Sequence, residues 1–115
     1  MHERLYYYRA ISFPSVYDGD SCAAEISVGF HMTARIPCRL ADINTPELTG
    51  DARTEGLEAR DYLRGRLNTA ITEGREVIIR SYKRDKYGRW LISIYVDGVS
   101  INDELLEMGL AVIYG

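Results

Sequence analysis

The sequence contains few of the residues required by a thiolate metal site, by a membrane span, or by a protein that binds nucleic acid through its overall positive charge. It has two cysteines and two histidines, and Cys22, Cys38, His2 and His31 form no cluster with the spacing of a zinc site. No apolar run approaches the roughly 18 residues of a membrane span. The net charge of −3 excludes binding through global positive charge, so a phosphate ligand would need a local basic patch. The cysteines are expected as buried or half-buried strand thiols, with a disulfide as the alternative.

A targeting segment is also missing from the visible N-terminus. The first ten residues, MHERLYYYRA, contain no apolar core of the kind that signal peptides carry. We therefore expect a cytoplasmic protein as the sequence stands, or a secreted one if a leader has been removed. The chain shows no repeat, and 46% hydrophobic with 27% charged residues is typical of a folded soluble protein. Residues 1–115 are expected to form a single domain.

The periodicity of apolar residues predicts strands, then a helix, then strands again. A hairpin turn is predicted at Gly29, and an amphipathic helix is predicted to begin near Thr54 and end at Gly74. A capping pattern at Ser100 predicts a short helix that ends at Gly109. The predicted strands cover residues 4–13, 22–28, 31–40, 76–82 and 90–96.

This order, β-β-β-α-β-β-α, is that of the oligonucleotide/oligosaccharide-binding (OB) fold. The predicted class is mainly β with α (α+β): a five-stranded OB-fold barrel with one long helix and one short helix. The aromatic run Tyr6 to Tyr8 is expected to pack against the core or a sheet edge rather than to bind a ligand. Because one fold hosts many functions, the function has to be argued from particular residues.

Three short segments carry residues suited to phosphodiester chemistry. They are Asp18-Gly19-Asp20, the stretch from Arg39 to Glu47, and Asp85-Lys86-Tyr87-Gly88-Arg89. Each alone has an ordinary interpretation as a turn, a strand exit or a charged hairpin. Together they supply oxygen ligands for a hard cation, a nearby carboxylate and two separated guanidinium groups, which phosphodiester hydrolysis requires.

These segments resemble the staphylococcal nuclease (thermonuclease) family. The shared pattern follows in order from residue 16 to residue 111 and includes Asp97-Gly98, Asn102 and Gly109-Leu110-Ala111. The resemblance implies an OB barrel and a calcium-dependent endonuclease or exonuclease that hydrolyses DNA and RNA with water as the nucleophile. DNA or RNA is then the expected partner, and no membrane or obligate protein partner is evident.

The resemblance assigns one Ca²⁺ to oxygen ligands. It implies the Asp20 carboxylate and the Thr45 backbone carbonyl as ligands, with Asp18 lying behind them. Asn44 falls where the family has a second carboxylate, and Asp42 is expected to lend charge from the same side of an extended strand. Because calcium affinity follows the number of charged ligands, Asn44 predicts weak binding, a preference for another ion, or an impaired site.

The resemblance also implies roles for the remaining site residues. Glu47 would assist the attacking water, while Arg39 and Arg89 would clamp the phosphate. Lys86 and Tyr87 would contact the terminal phosphate of a bound nucleotide. The alternative is a catalytically impaired nucleic-acid-binding module of the same family, and a protein-interaction domain with a relic site is a third, weaker hypothesis.

Overall fold

The structure, a computed structural model, describes residues 6–114, so the start of the first predicted strand lies outside the described residues. The helices are α1 (Arg53–Thr72), which follows a 3-10 turn (Gly50–Ala52), and α2 (Ile101–Glu107). The strands are β1 (Tyr7–Asp18), β2 (Ser21–Gly29), β3 (Met32–Leu40), β4 (Ile43–Asn44), β5 (Val77–Arg84), β6 (Trp90–Val96), β7 (Val99–Ser100) and β8 (Val112–Ile113).

Five strands close into a barrel in the order β3-β2-β1-β5-β6. Neighbours are antiparallel except at the closure, where β6 runs parallel to β3 with Arg39 opposite Leu91. The short strand β7 extends the sheet beside β6. The predicted class, a mainly β five-stranded barrel with one long and one short helix, is confirmed. No helix within residues 6–114 is both long and apolar enough to cross a bilayer.

Two predicted boundaries differ from the structure. The first strand continues past residue 13 to Asp18, because Pro14 is exposed and lies where the β1–β2 register is irregular, a place that tolerates proline. The long helix is capped at Ala52 rather than at Thr54, since the 3-10 turn leads directly into it. Gly74 follows the helix with a φ of +71°, a left-handed conformation that glycine adopts without strain.

The barrel core contains the inward-facing strand residues and the apolar faces of both helices. Cys22 and Cys38 lie opposite each other across β2 and β3, and both are buried free thiols. The adjacent Cys38 thiol, together with burial, raises the pKa of Cys22, which keeps that thiol protonated. The other fully buried large side chains are Leu40, Ile43, Leu63, Leu67, Val77, Ile92, Ile94, Ile101 and Leu105.

The buried side chain of Asn102 joins α2 to the exit of β3. Its Oδ1 accepts from the Ile94 backbone N–H at 3.1 Å, and its Nδ2 donates to the carbonyls of Ala41 at 3.2 Å and Ile92 at 3.1 Å. These bonds cross between elements distant in sequence. Asn102 therefore fixes the backbone just after Arg39, where the candidate site begins.

We expect Asn102→Ala to lower the free energy of unfolding by about 2–3 kcal/mol, since it leaves the buried Ile94 N–H and the Ala41 carbonyl without partners. Urea denaturation measures the loss. Asn68→Ala is the matched control, because Asn68 is exposed on α1 and its truncation should change stability by less than about 0.5 kcal/mol. Equal effects in the two variants would contradict the assigned role of Asn102.

Candidate functional site

The turn between β1 and β2 is locked by Asp18. Its Oδ1 accepts from the backbone N–H of Asp20 at 3.0 Å and from the Ser21 hydroxyl at 2.7 Å. A Cβ at Gly19 would lie 2.8 Å from both the Ala59 Cβ and the Thr45 Cγ2. Glycine is needed at this position because the turn packs directly against α1 and against the segment that follows β4.

Asp20 ties this turn to the segment after β4. The residue is 7% exposed, and its Oδ2 accepts from the Thr45 backbone N–H at 3.0 Å and lies 3.5 Å from Nη2 of Arg39. Burial, and then the neighbouring Asp18 carboxylate, raise the pKa of Asp20 to about 6. Burial also acts to raise the pKa of Asp18, but hydrogen bonds from Asp20 and Ser21 lower it overall.

Arg39, at the end of β3, is enclosed by protein oxygens. Its Nη1 donates to the carbonyls of Leu40 at 3.0 Å and Ile43 at 3.1 Å, and its Nη2 donates to Oδ1 of Asn44 at 3.0 Å. The side chain is 13% exposed, and its Cζ lies 5.2 Å from the ring centroid of Tyr114. Three of its N–H donors are therefore already engaged by protein oxygens.

The C-terminal strand β8 brings Tyr114 over this guanidinium. It pairs antiparallel with β4, with Val112 opposite Asn44, and the Tyr114 N–H donates to the Asp42 carbonyl at 2.9 Å. Tyr114 is not among the site residues predicted from the sequence, although its aromatic character near the end of the chain was the available signal. Cation–π contact with Arg39 makes it part of the site.

Asp42 does not lie where the sequence analysis expected it. The residue occupies a turn with a φ of +65° and is exposed, because β3 ends at Leu40 and the chain turns before β4. The expectation that Asp42 and Asn44 share one side of an extended strand is therefore wrong. Two turn residues break the two-residue alternation on which that expectation depended.

Glu47 lies on an exposed loop that α1 holds in place. A Cβ on Gly56 would lie 2.2 Å from the Glu47 carbonyl oxygen, so only glycine allows the first turns of α1 to approach this backbone. Asn44, Thr45 and Glu47 line one groove of about 320 Å³ together with residues 109–112. The structure thus brings three of the expected site residues to one surface.

The hairpin between β5 and β6 forms a second group. Asp85 Oδ1 accepts from the backbone N–H groups of Tyr87 and Arg89, both at 2.9 Å, and its Oδ2 accepts from Nε of Arg89 at 2.9 Å. Partial burial acts to raise the pKa of Asp85, but these bonds lower it overall. The exposed Tyr87 ring has Lys86 Nζ at 5.2 Å and Arg89 Cζ at 5.5 Å from its centroid.

The strand register relates this hairpin to Arg39. Leu91 lies opposite Arg39 in the parallel β3–β6 pair, and Arg89 precedes Leu91 by two residues. Arg89 directly precedes β6, so the hairpin follows from the same barrel closure that pairs β6 with the end of β3. Within residues 6–114, no hydrogen bond or ion pair connects Glu47 or the Lys86–Arg89 hairpin to Asp20.

The donor set around Asp20 fits a hard cation with few charged ligands. No three His, Cys, Asp or Glu side chains in the described part of the chain form a metal-binding group. Burial, and then the neighbouring Asp18 carboxylate, nevertheless raise the pKa of Asp20, and a bound cation would favour its charged form. Asn44 and Thr45 add neutral oxygens, which are hard donors that magnesium and calcium accept.

The fold and these two groups define a small OB-type barrel with carboxylate, amide and guanidinium groups at the end of β3 and on the β5–β6 hairpin. The family model described as "Staphylococcal nuclease homologue" matches residues 37–115, so the chain belongs to this family. Membership confirms the resemblance and indicates a nuclease-like, nucleic-acid-related function. The Asp18–Asp20 turn precedes the matched residues.

One curated relative is 33% identical over 73 residues: the "Probable staphylococcal-like nuclease CAN1" of Oryza sativa subsp. japonica. The alignment covers 64% of this chain and 20% of the rice protein. The chain therefore spans about a fifth of the length of this relative.

Proposed function

We propose that the chain is a metal-dependent nuclease that hydrolyses phosphodiester bonds of DNA and RNA. The observation that carries the proposal is the cluster at the end of β3, where Asp20 accepts from the Thr45 N–H and lies 3.5 Å from Arg39, which also binds Asn44. The cluster joins oxygen ligands to a guanidinium group next to an exposed groove. Phosphoryl chemistry needs this combination of charges.

The proposed ion is a single Ca²⁺, held by the Asp20 carboxylate, the Asn44 amide oxygen and the Thr45 carbonyl. When bound, the ion supplies positive charge to a phosphoryl oxygen and orients a water molecule. The Asp18 carboxylate does not contact the ion. It accepts from the Asp20 backbone N–H and so fixes the turn that carries Asp20. With one certain anionic ligand, the site should bind calcium weakly.

The chain's other residues supply base and charge stabilisation. Glu47, exposed beside the groove that Asn44 and Thr45 also line, accepts a proton from the attacking water. Arg39 and Arg89 stabilise the charge that develops on the phosphoryl oxygens. Arg89 is suited to this because Asp85 engages its Nε and leaves its two Nη groups to bind a ligand.

Lys86 and Tyr87 bind the phosphate at the end of the substrate. Both lie on the exposed hairpin turn, and Tyr87 is 71% exposed. Their position next to Arg89 places two cations and a phenol hydroxyl on one short turn. Such a turn can bind an anion while contributing little to the stability of the fold.

The test of the proposal is cleavage of single-stranded DNA as a function of calcium concentration, with EDTA and Mg²⁺ as controls. We expect cleavage that requires a divalent ion and reaches half of its maximum only at high calcium, because the site lacks one charge. Cleavage that persists in EDTA, or none at any calcium concentration, would contradict the mechanism.

The second candidate is a nucleic-acid-binding module of the same family without catalysis. The hydrogen bond between Arg39 Nη2 and Asn44 Oδ1 favours this alternative. It directs the amide oxygen toward a guanidinium group instead of leaving it for a metal, and it engages the arginine that the mechanism needs. A protein of this kind would bind nucleic acid equally well with and without calcium.

Asn44→Asp separates the two candidates. A second carboxylate should raise calcium affinity about tenfold, or about 1.4 kcal/mol, and Arg39 at hydrogen-bond distance should hold the new charge in place. Isothermal titration with Ca²⁺ measures the affinity, and cleavage assays measure the activity. Asn68→Asp is the charge-matched control, because Asn68 is an exposed residue of α1. Higher affinity without cleavage would favour the binding module, and unchanged affinity would remove Asn44 from the metal site.

A further inference from the structure

A row of aromatic and cationic side chains lies on the outer face of β1 and β5. Arg80 lies between two tyrosines, with its Cζ 5.7 Å from the ring centroid of Tyr7 and 4.5 Å from that of Tyr82. Tyr7 pairs with Arg80 across the two strands, and both tyrosines are 40% exposed. We call these three residues the Tyr–Arg–Tyr strip.

Arg80 has no acidic partner, a property that it shares with five of the other arginines within residues 6–114. Arg66 pairs with Glu104, Arg75 with Asp97, and Arg89 with Asp85, whereas no ion pair within residues 6–114 involves Arg80. Its Nε is also buried without a hydrogen-bond partner. Such a nitrogen is costly and rare in folded proteins, and because it is closed to solvent, a ligand would bind Arg80 through its Nη groups.

The strip is continuous with the candidate site. A groove of about 470 Å³ is lined by Arg80, Tyr82 and Lys83 on one side and by Asp42 and Leu91 on the other. Leu91 is the strand partner of Arg39, and the Asp42 carbonyl accepts from the Tyr114 N–H. The groove therefore extends from Arg80 and Tyr82 to Asp42 and Leu91, which lie next to the end of β3 where Arg39 is located.

We propose that the Tyr–Arg–Tyr strip is a stacking subsite for the bases of single-stranded nucleic acid next to the cleaved phosphate. The inference rests on the proposed function and names its substrate as unpaired strand. Exposed tyrosine rings stack on any base, and an arginine without an acidic partner binds a phosphate or a base face. From β1 through β5 and β6 to β3 the outer face spans three strand spacings, about 14 Å, which accommodates a few nucleotides.

The charges around the groove orient the strand. Arg80 and Lys83 lie on the β5 side, and Asp42 is the acidic residue that faces them. The sugar-phosphate chain is therefore expected along Arg80 and Lys83, with the bases over Tyr7 and Tyr82. A duplex, whose bases are already stacked on each other, gains nothing from this arrangement.

The test is fluorescence anisotropy with a labelled ten-nucleotide oligothymidylate in EDTA, where no cleavage occurs, and with a duplex of the same length. Tyr7→Ala and Arg80→Gln should each weaken decamer binding about 5- to 150-fold, the range for one lost base contact. Arg80→Gln should also reduce the slope of log affinity against log salt by about 0.7. Duplex binding should not change in Tyr7→Ala.

Three control variants separate stacking from folding. Tyr82→Phe keeps the ring and loses only the hydroxyl that lies 2.8 Å from Ser93 Oγ, so it should bind the decamer like the unaltered protein. Arg75→Gln removes a cation that Glu73 and Asp97 already neutralise, so it should also leave decamer affinity unchanged. Phe30→Ala removes a 94% exposed aromatic ring at the tip of the β2–β3 hairpin, outside the strip, and should have no effect on decamer affinity. Thermal melts of all variants check the fold.

The outcomes distinguish this inference from the proposed nuclease activity. Unchanged decamer affinity in Tyr7→Ala and Arg80→Gln, or no decamer binding by the unaltered protein, overturns the subsite. Equal losses for decamer and duplex in Tyr7→Ala also overturn it. If the strip variants lose decamer binding and the unaltered protein cleaves nothing at any calcium concentration, the subsite stands and the nuclease proposal is wrong.

Discussion

Arg39→Lys and Arg89→Lys are each expected to lower kcat by about 100- to 1000-fold, or about 3–4 kcal/mol of transition-state stabilisation. Lysine keeps the positive charge but cannot donate two parallel hydrogen bonds to one phosphate. Arg39→Lys should also lower stability, since the Arg39 guanidinium donates to Leu40, Ile43 and Asn44. For Arg89, whose Nε donates to Asp85, the loss should fall mainly on kcat.

Single-turnover cleavage of single-stranded DNA measures these losses, and urea denaturation confirms that each variant is folded. Arg35→Lys is the matched control, because Arg35 is exposed and lies four residues before Arg39 on the same strand. It should keep kcat within about twofold. A folded Arg39→Lys or Arg89→Lys protein with ordinary turnover would show that the arginine does not contact the phosphate in the transition state.

Asp20→Asn is expected to raise stability at neutral pH and to lower cleavage. Burial, and then Asp18, raise the pKa of Asp20 to about 6 from its ordinary value of 3.8. Between these values the folded protein holds a proton that the unfolded chain has released, so the free energy of unfolding falls as pH rises through this window. Asparagine keeps an oxygen for the Thr45 N–H without the charge, so it should stabilise the protein at pH 7 by about 1–2 kcal/mol after allowance for the lost attraction to Arg39.

The same substitution removes the one buried carboxylate of the proposed calcium site. Cleavage at a fixed calcium concentration should fall at least about 100-fold, since one unit charge near a cation contributes several kcal/mol at an effective dielectric of about 20. Urea denaturation in EDTA at pH 5 and pH 7 measures the change in the free energy of unfolding. Asp103→Asn is the control, because Asp103 is an exposed residue of α2. A variant less stable at pH 7, or one that still cleaves normally, would contradict the assigned role of Asp20.

Sequence reasoning reached the fold because its signals are local. The alternation from Trp90 to Val96 corresponds to β6 residue for residue, and the Ser100 hydroxyl accepts from the Asp103 N–H at 3.2 Å as the capping pattern predicts. The helix stop at Gly74 is equally local. The order of these elements then indicated the barrel, since few closed arrangements fit it.

The candidate site was predictable in residue type but only partly in arrangement. Asp20, Asn44 and Thr45 were named from the sequence, and the structure brings all three to the end of β3 around Arg39. Glu47 shares a groove with Asn44 and Thr45. The roles assigned to these residues, and to Arg89, Lys86 and Tyr87, remain predictions for the experiments described above.

By itself the sequence determined which chemical groups this protein can offer and the order of its elements, because periodicity, capping and turn residues act over a few positions. Only the tertiary structure decided which groups meet. The left-handed turn at Asp42 took that carboxylate off the strand, and the pairing of β8 with β4 placed Tyr114 over Arg39. Closure of the barrel aligned Arg39 with Leu91, and the β1–β5 register brought Tyr7 to Arg80. Such contacts join residues tens of positions apart, and a strand's register is fixed by its partner and not by its own sequence.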